Sequence, residues 1–514
     1  MFKKIRVRFA PSPTGPLHVG GVRTALFNYL FAKQHGGDFI LRIEDTDSQR
    51  FVPGAEEYII ESLRWCGIPP TEGVLENGEM AIEPSIQHPH APYRQSQRKA
   101  LYRNYAEQLV AQGNAYYAFD SAESLEALRK ETEEKGETFI YGPLSRHTMN
   151  NSLGMEADEA AKWLKENNRW VIRFKMPQDG EIIFHDLIRG EIRVHSNTLD
   201  DKVLWKVVDE LPTYHLANVV DDHLMEISHV IRGEEWLPSL PLHVLLYRAF
   251  KWEDSQPHFA HLSLLLKPDG KGKLSKRDGD RLGFPVFPLE WRSAEGEVSR
   301  GYREDGYFPE ALVNMLALLG WNPGTEQEIF SLQELVQCFS LDRVVKSGAK
   351  FNPEKAHWFN QQYLRAKDND DLASRFAELI TSTGTHAKLP AIIALLKERA
   401  VFVQDFLALS DYFFAAPQQY DQKMAAKYWR EETPSQMESL RNFLSQLEPF
   451  TKESVEHSLS EFIKANEWSM GPIMNLLRLC IVGAARGPGM ADIMAIIGKE
   501  ETLHRLQNYQ YSSS

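Results

Sequence analysis

At 514 residues the chain is longer than one hydrophobic core organises, and ordinary domain sizes predict roughly three or four domains. With 43% hydrophobic and 25% charged residues the composition is globular, and no run of about 18 apolar residues offers a membrane span. A net charge of −13 excludes indiscriminate affinity for nucleic acid, which rests on neutralising phosphates, but leaves room for a localised basic surface.

In chain order, Met1-Phe2-Lys3-Lys4 leads directly into a first strand, leaving no room for a targeting peptide, so a cytoplasmic location is expected. Ile5, Val7 and Phe9 alternate with Arg6 and Arg8, the period of a strand. Val22, Ala25, Leu26, Tyr29 and Leu30 then mark one face of a helix that stops at Gly36-Gly37. Asp38 to Ile43 reads as a second strand. Residues 5–44 thus predict a βαβ unit with parallel strands and a right-handed crossover. Ligands of such units lie beyond the carboxyl ends of the strands, where a helix N-terminus offers free N–H groups to a phosphate. His18, Gly20 and Gly21 occupy that place: the glycines admit a close approach, and the imidazole can donate to a phosphoryl oxygen. Taken alone, the same residues also describe a capped turn with a surface histidine.

Further along, a helix is predicted from Pro53 to Trp65, a loop over 74–92, and a helix from Tyr93 to Gly113 with Leu101, Tyr105, Ala106 and Leu109 on its inner face. It opens an insertion in which helices (Ser121 to Glu134; Ala157 to Asn167) alternate with strands (Trp170 to Phe174; Glu181 to His185; Glu191 to Val194), the pattern of a compact α+β domain. The nucleotide domain resumes near Leu211. After the apolar run Leu262 to Leu266 comes a basic loop, Lys271-Gly272-Lys273-Leu274-Ser275-Lys276-Arg277-Asp278-Gly279. Leu282 to Arg300 reads as a packed excursion beside that loop rather than a lid. From Tyr302 onward helical patterns dominate: Leu312, Met315, Leu316 and Leu319 share a face, and Ile473, Leu476, Leu477, Cys480 and Ile481 form a core stripe before Gly487-Pro488-Gly489.

The two glycine- and lysine-bearing segments together resemble the paired signatures of class I aminoacyl-tRNA synthetases. Ala10-Pro11-Ser12-Pro13-Thr14-Gly15 with Leu17-His18-Val19-Gly20-Gly21, the run Leu41 to Asp47, Tyr214 to His223, His229 to Trp236 and Lys273 to Arg277 are similar to the bacterial-type glutamate–tRNA ligase family. The resemblance is close from residue 5 to about 365 and looser to the end. It implies a Rossmann-like catalytic domain in two halves, 1–95 and 209–281, split by an insertion at 96–208 that holds the tRNA acceptor end. An extra segment with stem-contacting helices follows at 282–365, then an all-α anticodon-binding region at 366–514, where Arg478 and Arg486 are candidate tRNA contacts.

The implied reaction joins glutamate to tRNA(Glu) through an adenylate made from ATP. Its first step needs charge compensation and positioning rather than a covalent nucleophile. The resemblance assigns His18, Lys273 and Lys276 to catalysis and Gly20, Gly21, Glu235, Trp236, Ser275 and Arg277 to ATP. It assigns Arg8, Ser12, Glu44, Tyr214, Asn218 and Arg232 to glutamate, since a dicarboxylic amino acid requires cations as well as an anion for its ammonium. Without the resemblance each of these charges would read as a solvated group or an ion-pair partner. Gly21 and Arg277, where much of the superfamily has histidine and serine, point to the glutamate branch. Magnesium is expected to arrive on ATP, with Asp45 and Asp47 read as capping acids rather than ligands. Cys66, Cys338 and Cys480 lie far apart, so neither a disulfide nor a zinc site is expected. A monomer free of membranes is expected. The alternatives are an enzyme that also glutamylates tRNA(Gln), or a glutamine–tRNA ligase.

Overall fold

The computed structural model describes residues 4–47, 50–166, 169–380 and 386–509. It divides into two units, Met1–Asp305 with Pro309–Ala356, and Gly306–Phe308 with His357–Ser514.

The first unit is built around β1 (Arg6–Phe9), α1 (Val19–Gln34) and β2 (Asp38–Leu41), with β1 and β2 parallel from Arg6 opposite Asp38 to Phe9 opposite Leu41. α1 starts where it does because the His18 side chain caps it, Nδ1 accepting the Gly20 N–H at 3.1 Å. Beyond α2 (Ala55–Trp65), the predicted helix at Tyr93 starts later, as a 3-10 turn at Gln95–Arg98 leading into α3 (Lys99–Ala111). Tyr93 is spent on the sheet side, its carbonyl accepting the Ile43 N–H. The buried face of α3 carries Tyr102 with Ala106 and Leu109, while Leu101 and Tyr105 are half-buried, because the Tyr102 hydroxyl is drawn in to donate to Asp221 at 2.8 Å.

The insertion contains β3 (Ala115–Ala118), α4 (Ala122–Glu134), α5 (Ala157–Glu166), β4 (Val171–Phe174), β5 (Glu181–Asp186), β6 (Gly190–His195), β7 (Val203–Lys206) and β8 (Leu211–Pro212). After it come α6 (Tyr214–Leu224), β9 (His229–Gly233), α7 (Leu240–Ala249) and β10 (His258–Leu262). Four of the insertion's strands form their own antiparallel sheet, β3-β4-β7-β8. The β5–β6 hairpin does not join them. It extends the catalytic sheet, whose order is β2-β1-β9-β10-β5-β6, with β5 parallel to β10 through Asp186 opposite Phe259. The strand periods alone carried no information about which sheet would take the hairpin.

The basic loop leads into α8 (Lys276–Leu282), capped by a Ser275–Asp278 box. The segment after it is packed, as expected: Phe284, Val286, Phe287 and Leu289 are buried, Trp291 stands edge-on to Tyr58, and Tyr58 donates to the Leu289 carbonyl at 2.6 Å. It also braces the turn between β1 and α1, because the Val286 carbonyl accepts the Val19 N–H at the start of α1.

The second unit is helical throughout its described residues. The stripe expected on Met470–Val482 is buried, and the helix ends at Gly483 in the left-handed region (φ 84°). Arg478 is taken up by the Arg486 and Pro488 carbonyls, and Arg486 by Asp411 and the Ala408 carbonyl, so both candidate tRNA contacts also staple the Gly487 turn. No helix among the described residues is long and apolar enough to cross a membrane.

Candidate active site

A cleft of about 540 Å³ opens at the carboxyl ends of β1, β2 and β9. Its walls carry the predicted Arg8, Ser12, His18, Gly20, Gly21, Glu44, Tyr214, Asn218, Arg232, Glu235, Trp236 and Lys273. The two glycines serve different ends. A Cβ on Gly20 would meet nothing nearer than His18 Nδ1 at 3.5 Å, whereas one on Gly21 would fall 2.5 Å from Leu17 Cδ1. Gly20 therefore leaves the cleft side open, whereas a side chain at 21 would require Leu17 to shift.

Beneath the cleft lies a buried lattice of charge. Asp222 accepts from Arg8 at 3.1 Å and from Arg42 at 2.7 Å, Arg42 also donates to Glu44 at 3.0 Å, and Asp221 pairs with Arg98 at 2.8 Å. Three guanidiniums face three carboxylates, so this group is balanced. Burial opposes the Asp222 charge, yet Arg8 and Arg42 outweigh it and hold the carboxyl below its usual range. Arg8 thus spends Nε and Nη2 on Asp222, and its Nη1 makes no hydrogen bond among the described residues.

Arg232 stands outside that balance. It is 4% exposed and bonds only to uncharged partners: Nε to His261 Nε2 at 3.0 Å, Nη1 to the Tyr214 hydroxyl at 2.7 Å and to His243 Nδ1 at 3.5 Å, and Nη2 to the Trp236 carbonyl at 3.4 Å. No carboxylate of the described residues lies within ion-pair reach of it, and burial depresses its pKa. A buried charge without a counter-ion is unfavourable unless a ligand supplies one.

His18 is equally directed. Because Nδ1 accepts from Gly20, the ring proton belongs on Nε2, which is buried without a partner. Burial, with Lys273 nearby, lowers the imidazole to about 4, so it is neutral at physiological pH and offers Nε2–H. Lys273 pairs with Glu235 at 3.2 Å on the cleft rim. Lys276 lies across His18, lining an adjoining cleft of about 430 Å³, and pairs with Glu297 of the packed segment at 3.5 Å. Such exposed pairs are worth under about 1 kcal/mol and exchange readily for a more highly charged anion. Ser275 and Arg277 line neither cleft: Ser275 caps α8 and Arg277 is exposed. Asp45 accepts from the Ser96 backbone and hydroxyl, the capping role expected of it.

Sequence reasoning missed the supports. Arg42 and Asp222 stand inside runs that carried the resemblance but received no role, although an arginine in an apolar strand calls for a buried acid. Arg23 went unnoticed on α1; it lines the cleft, 3% exposed, and donates to the Leu319 and Ser263 carbonyls. Asp186 and His261 had no local signal at all.

This geometry is that of a class I synthetase catalytic centre. A family model described as "tRNA synthetases class I (E and Q), catalytic domain" matches residues 4–358, and one described as "Anticodon binding domain" matches 371–510. The chain belongs to this class I E and Q synthetase family. Among curated relatives, glutamate–tRNA ligase of Flavobacterium johnsoniae is 57% identical over 99% of each chain, and that of Porphyromonas gingivalis is 53% identical over 98% of each. A crystal structure of a glutamate tRNA ligase from Elizabethkingia meningosepticum in complex with its amino acid has a TM-score of 0.92 at 50% identity, covering 98% of this chain and 99% of that one.

Proposed function

We propose that this chain is a glutamate–tRNA ligase: it attaches glutamate to tRNA(Glu) with ATP, through a glutamyl-adenylate, releasing pyrophosphate and AMP. The observation that carries the choice of amino acid is Arg232, a buried guanidinium with hydrogen-bonding groups around it and no counter-ion. A γ-carboxylate supplies the missing charge; a neutral glutamine amide does not, so the glutamine alternative is not favoured. Arg8 Nη1 adds a second cationic donor, and Tyr214 and Asn218 complete the pocket. Glu44 keeps one oxygen beyond those used by Arg42 and Asn218, and it receives the substrate ammonium.

In the first step an α-carboxylate oxygen of glutamate attacks the α-phosphorus, and the bond to the β-phosphate oxygen breaks. His18 Nε2–H and the amides opening α1 hold phosphate oxygens, while Lys273 and Lys276 exchange Glu235 and Glu297 for the triphosphate and neutralise the leaving pyrophosphate. Trp236, tilted against Tyr214 with ring centroids 4.1 Å apart, borders the adenosine with Glu235. In the second step a terminal ribose hydroxyl of tRNA attacks the acyl carbon and AMP departs. Magnesium is assigned to the ATP phosphates, where it needs few protein ligands. Acceptor-end binding is assigned to 96–208 and anticodon binding to 366–514, in a cytoplasmic monomer.

The test is transfer of radiolabelled glutamate and glutamine to purified tRNA(Glu) and tRNA(Gln), with Lys276→Ala as control. Glutamate transfer to tRNA(Glu), reduced in the variant, is expected; a preference for glutamine overturns the reading.

A further inference from the structure

The hairpin that leaves the insertion for the catalytic sheet brings one buried acid to the back of the amino-acid pocket. Asp186, at the end of β5, is fully buried. Its Oδ1 accepts the backbone N–H groups of Ile188 at 3.0 Å and Arg189 at 2.8 Å, which holds the hairpin tip, and that of His261 at 3.4 Å. Its Oδ2 lies 2.7 Å from His261 Nδ1. His261, on β10 and also fully buried, accepts the Arg232 Nε–H through Nε2 at 3.0 Å.

This chain of bonds has one consistent proton arrangement. Arg232 Nε is always a donor, so His261 Nε2 must be a lone pair and Nδ1 must carry the proton. Nδ1–H then needs an acceptor, and a carboxylate that can never donate while ionised is the surest one. Burial and Arg232 keep the imidazole below its ordinary pKa, consistent with the neutral ring the chain requires. Burial works against the Asp186 charge, but the bonds from His261 and the Arg189 and Ile188 backbone overcome it and leave its carboxyl below the usual range.

We propose that Asp186 is a positioning residue for the glutamate pocket: through His261 it fixes the rotation of the Arg232 guanidinium, and with it the alignment of Nη1 and Nη2 on the substrate γ-carboxylate. The proposal rests on the reading of Arg232 given above. Its consequence is that the inserted hairpin is part of the amino-acid specificity apparatus, although it touches no substrate. A guanidinium held at Nε presents a fixed fork, and a fixed fork distinguishes a planar carboxylate from an amide better than a freely turning one.

The decisive variant is Asp186→Asn. Its oxygen can keep the backbone donors of Oδ1, while the amide nitrogen replaces Oδ2 and donates to His261 Nδ1. The ring proton then moves to Nε2 and opposes Arg232 Nε–H. Steady-state aminoacylation of tRNA(Glu) by the full chain would be followed with glutamate and ATP varied separately. The expected result is a KM for glutamate raised at least about tenfold, the size expected when a charged group loses a hydrogen-bond partner, with the KM for ATP little changed. His261→Gln, whose side-chain oxygen can replace Nε2 as acceptor, should stay near the parent; His261→Met should behave like Asp186→Asn. Equal loss in His261→Gln and His261→Met, or a rise in both KM values together, overturns the relay. Arg232→Ala separates the two levels of argument. If it leaves the glutamate KM unchanged, the pocket reading fails, and the relay with it; if it raises that KM while Asp186→Asn and His261→Met do not, the relay alone fails.

Discussion

Arg505 in the second unit and Arg232 in the first are both buried, and the two are used in opposite ways. Arg505, 2% exposed in the helical unit, donates to the Tyr412 carbonyl at 2.6 Å and the Ile481 carbonyl at 2.9 Å, and pairs with Glu501 at 2.7 Å. Its hydrogen bonds and its charge are both answered from within the chain. Arg232, equally buried, has its hydrogen bonds answered but not its charge. The comparison separates a staple from a receptor: burial is common to both, and the missing counter-ion marks the one that waits for a ligand.

Substitution by methionine tests that contrast most sharply. Arg232→Met should reduce glutamate activation by about thirtyfold to several thousandfold, since truncating one side of a buried charge pair typically costs ~2–5 kcal/mol. Its thermal stability should hold or improve, because an uncompensated buried charge has been removed. Arg505→Met should do the reverse to folding: two buried carbonyls lose their donor, a loss of ~2–4 kcal/mol that differential scanning calorimetry would detect as an early transition. If Arg232→Met melts early and Arg505→Met does not, the distinction between staple and receptor is lost.

A smaller effect is expected at His18, where capping and catalysis can be separated. His18→Asn keeps an acceptor for the Gly20 N–H but has no Nε2–H, so the rate should fall by ~3 kcal/mol, about a hundredfold, in glutamate-dependent pyrophosphate exchange. The stability of the N-terminal unit should change by less than about 1 kcal/mol, as asparagine is a good N-cap. A variant that retains full rate would remove His18 from the chemistry.

The smallest effect concerns pH. His18 is held near 4, so the pH–rate profile should show no His18 ionisation between its ordinary value and that point. Stability behaves differently. His18, His215 and His229 are each lowered to about 4, chiefly by burial. The unfolded chain therefore binds more protons below about pH 6.5, and stability should rise with pH between about 4 and 6.5. Acid titration followed by circular dichroism would reveal the slope; a flat profile over that window would place these rings in water.

The turn from β1 into α1 was legible because each of its signals is local. Alternating apolar residues make the strand, the i, i+3, i+4 stripe makes the helix, and His18, Gly20 and Gly21 fall between them within a few residues. The core stripe of Met470–Val482 was legible for the same reason. The inner face of α3 is centred on Tyr102 rather than on Leu101 and Tyr105, because Tyr102 is drawn inward by Asp221, more than a hundred residues away. The family resemblance assigns Ser275 and Arg277 to ATP; in the structure Ser275 caps α8 and Arg277 is exposed, since consecutive residues at a helix start point in different directions.

From its amino acids alone this chain declares a glycine-bearing strand-to-helix turn, a basic loop, a helical C-terminal region and the family whose wording it shares, because those features are written in short-range periodicity and contiguous motifs. The tertiary structure decided which charges cancel. Arg8 is neutralised by Asp222 and Arg232 is not, and Asp186 reaches His261 across 75 residues only because β5 joins the catalytic sheet beside β10. Electrostatic balance depends on distance in space, and no spacing along the sequence encodes it.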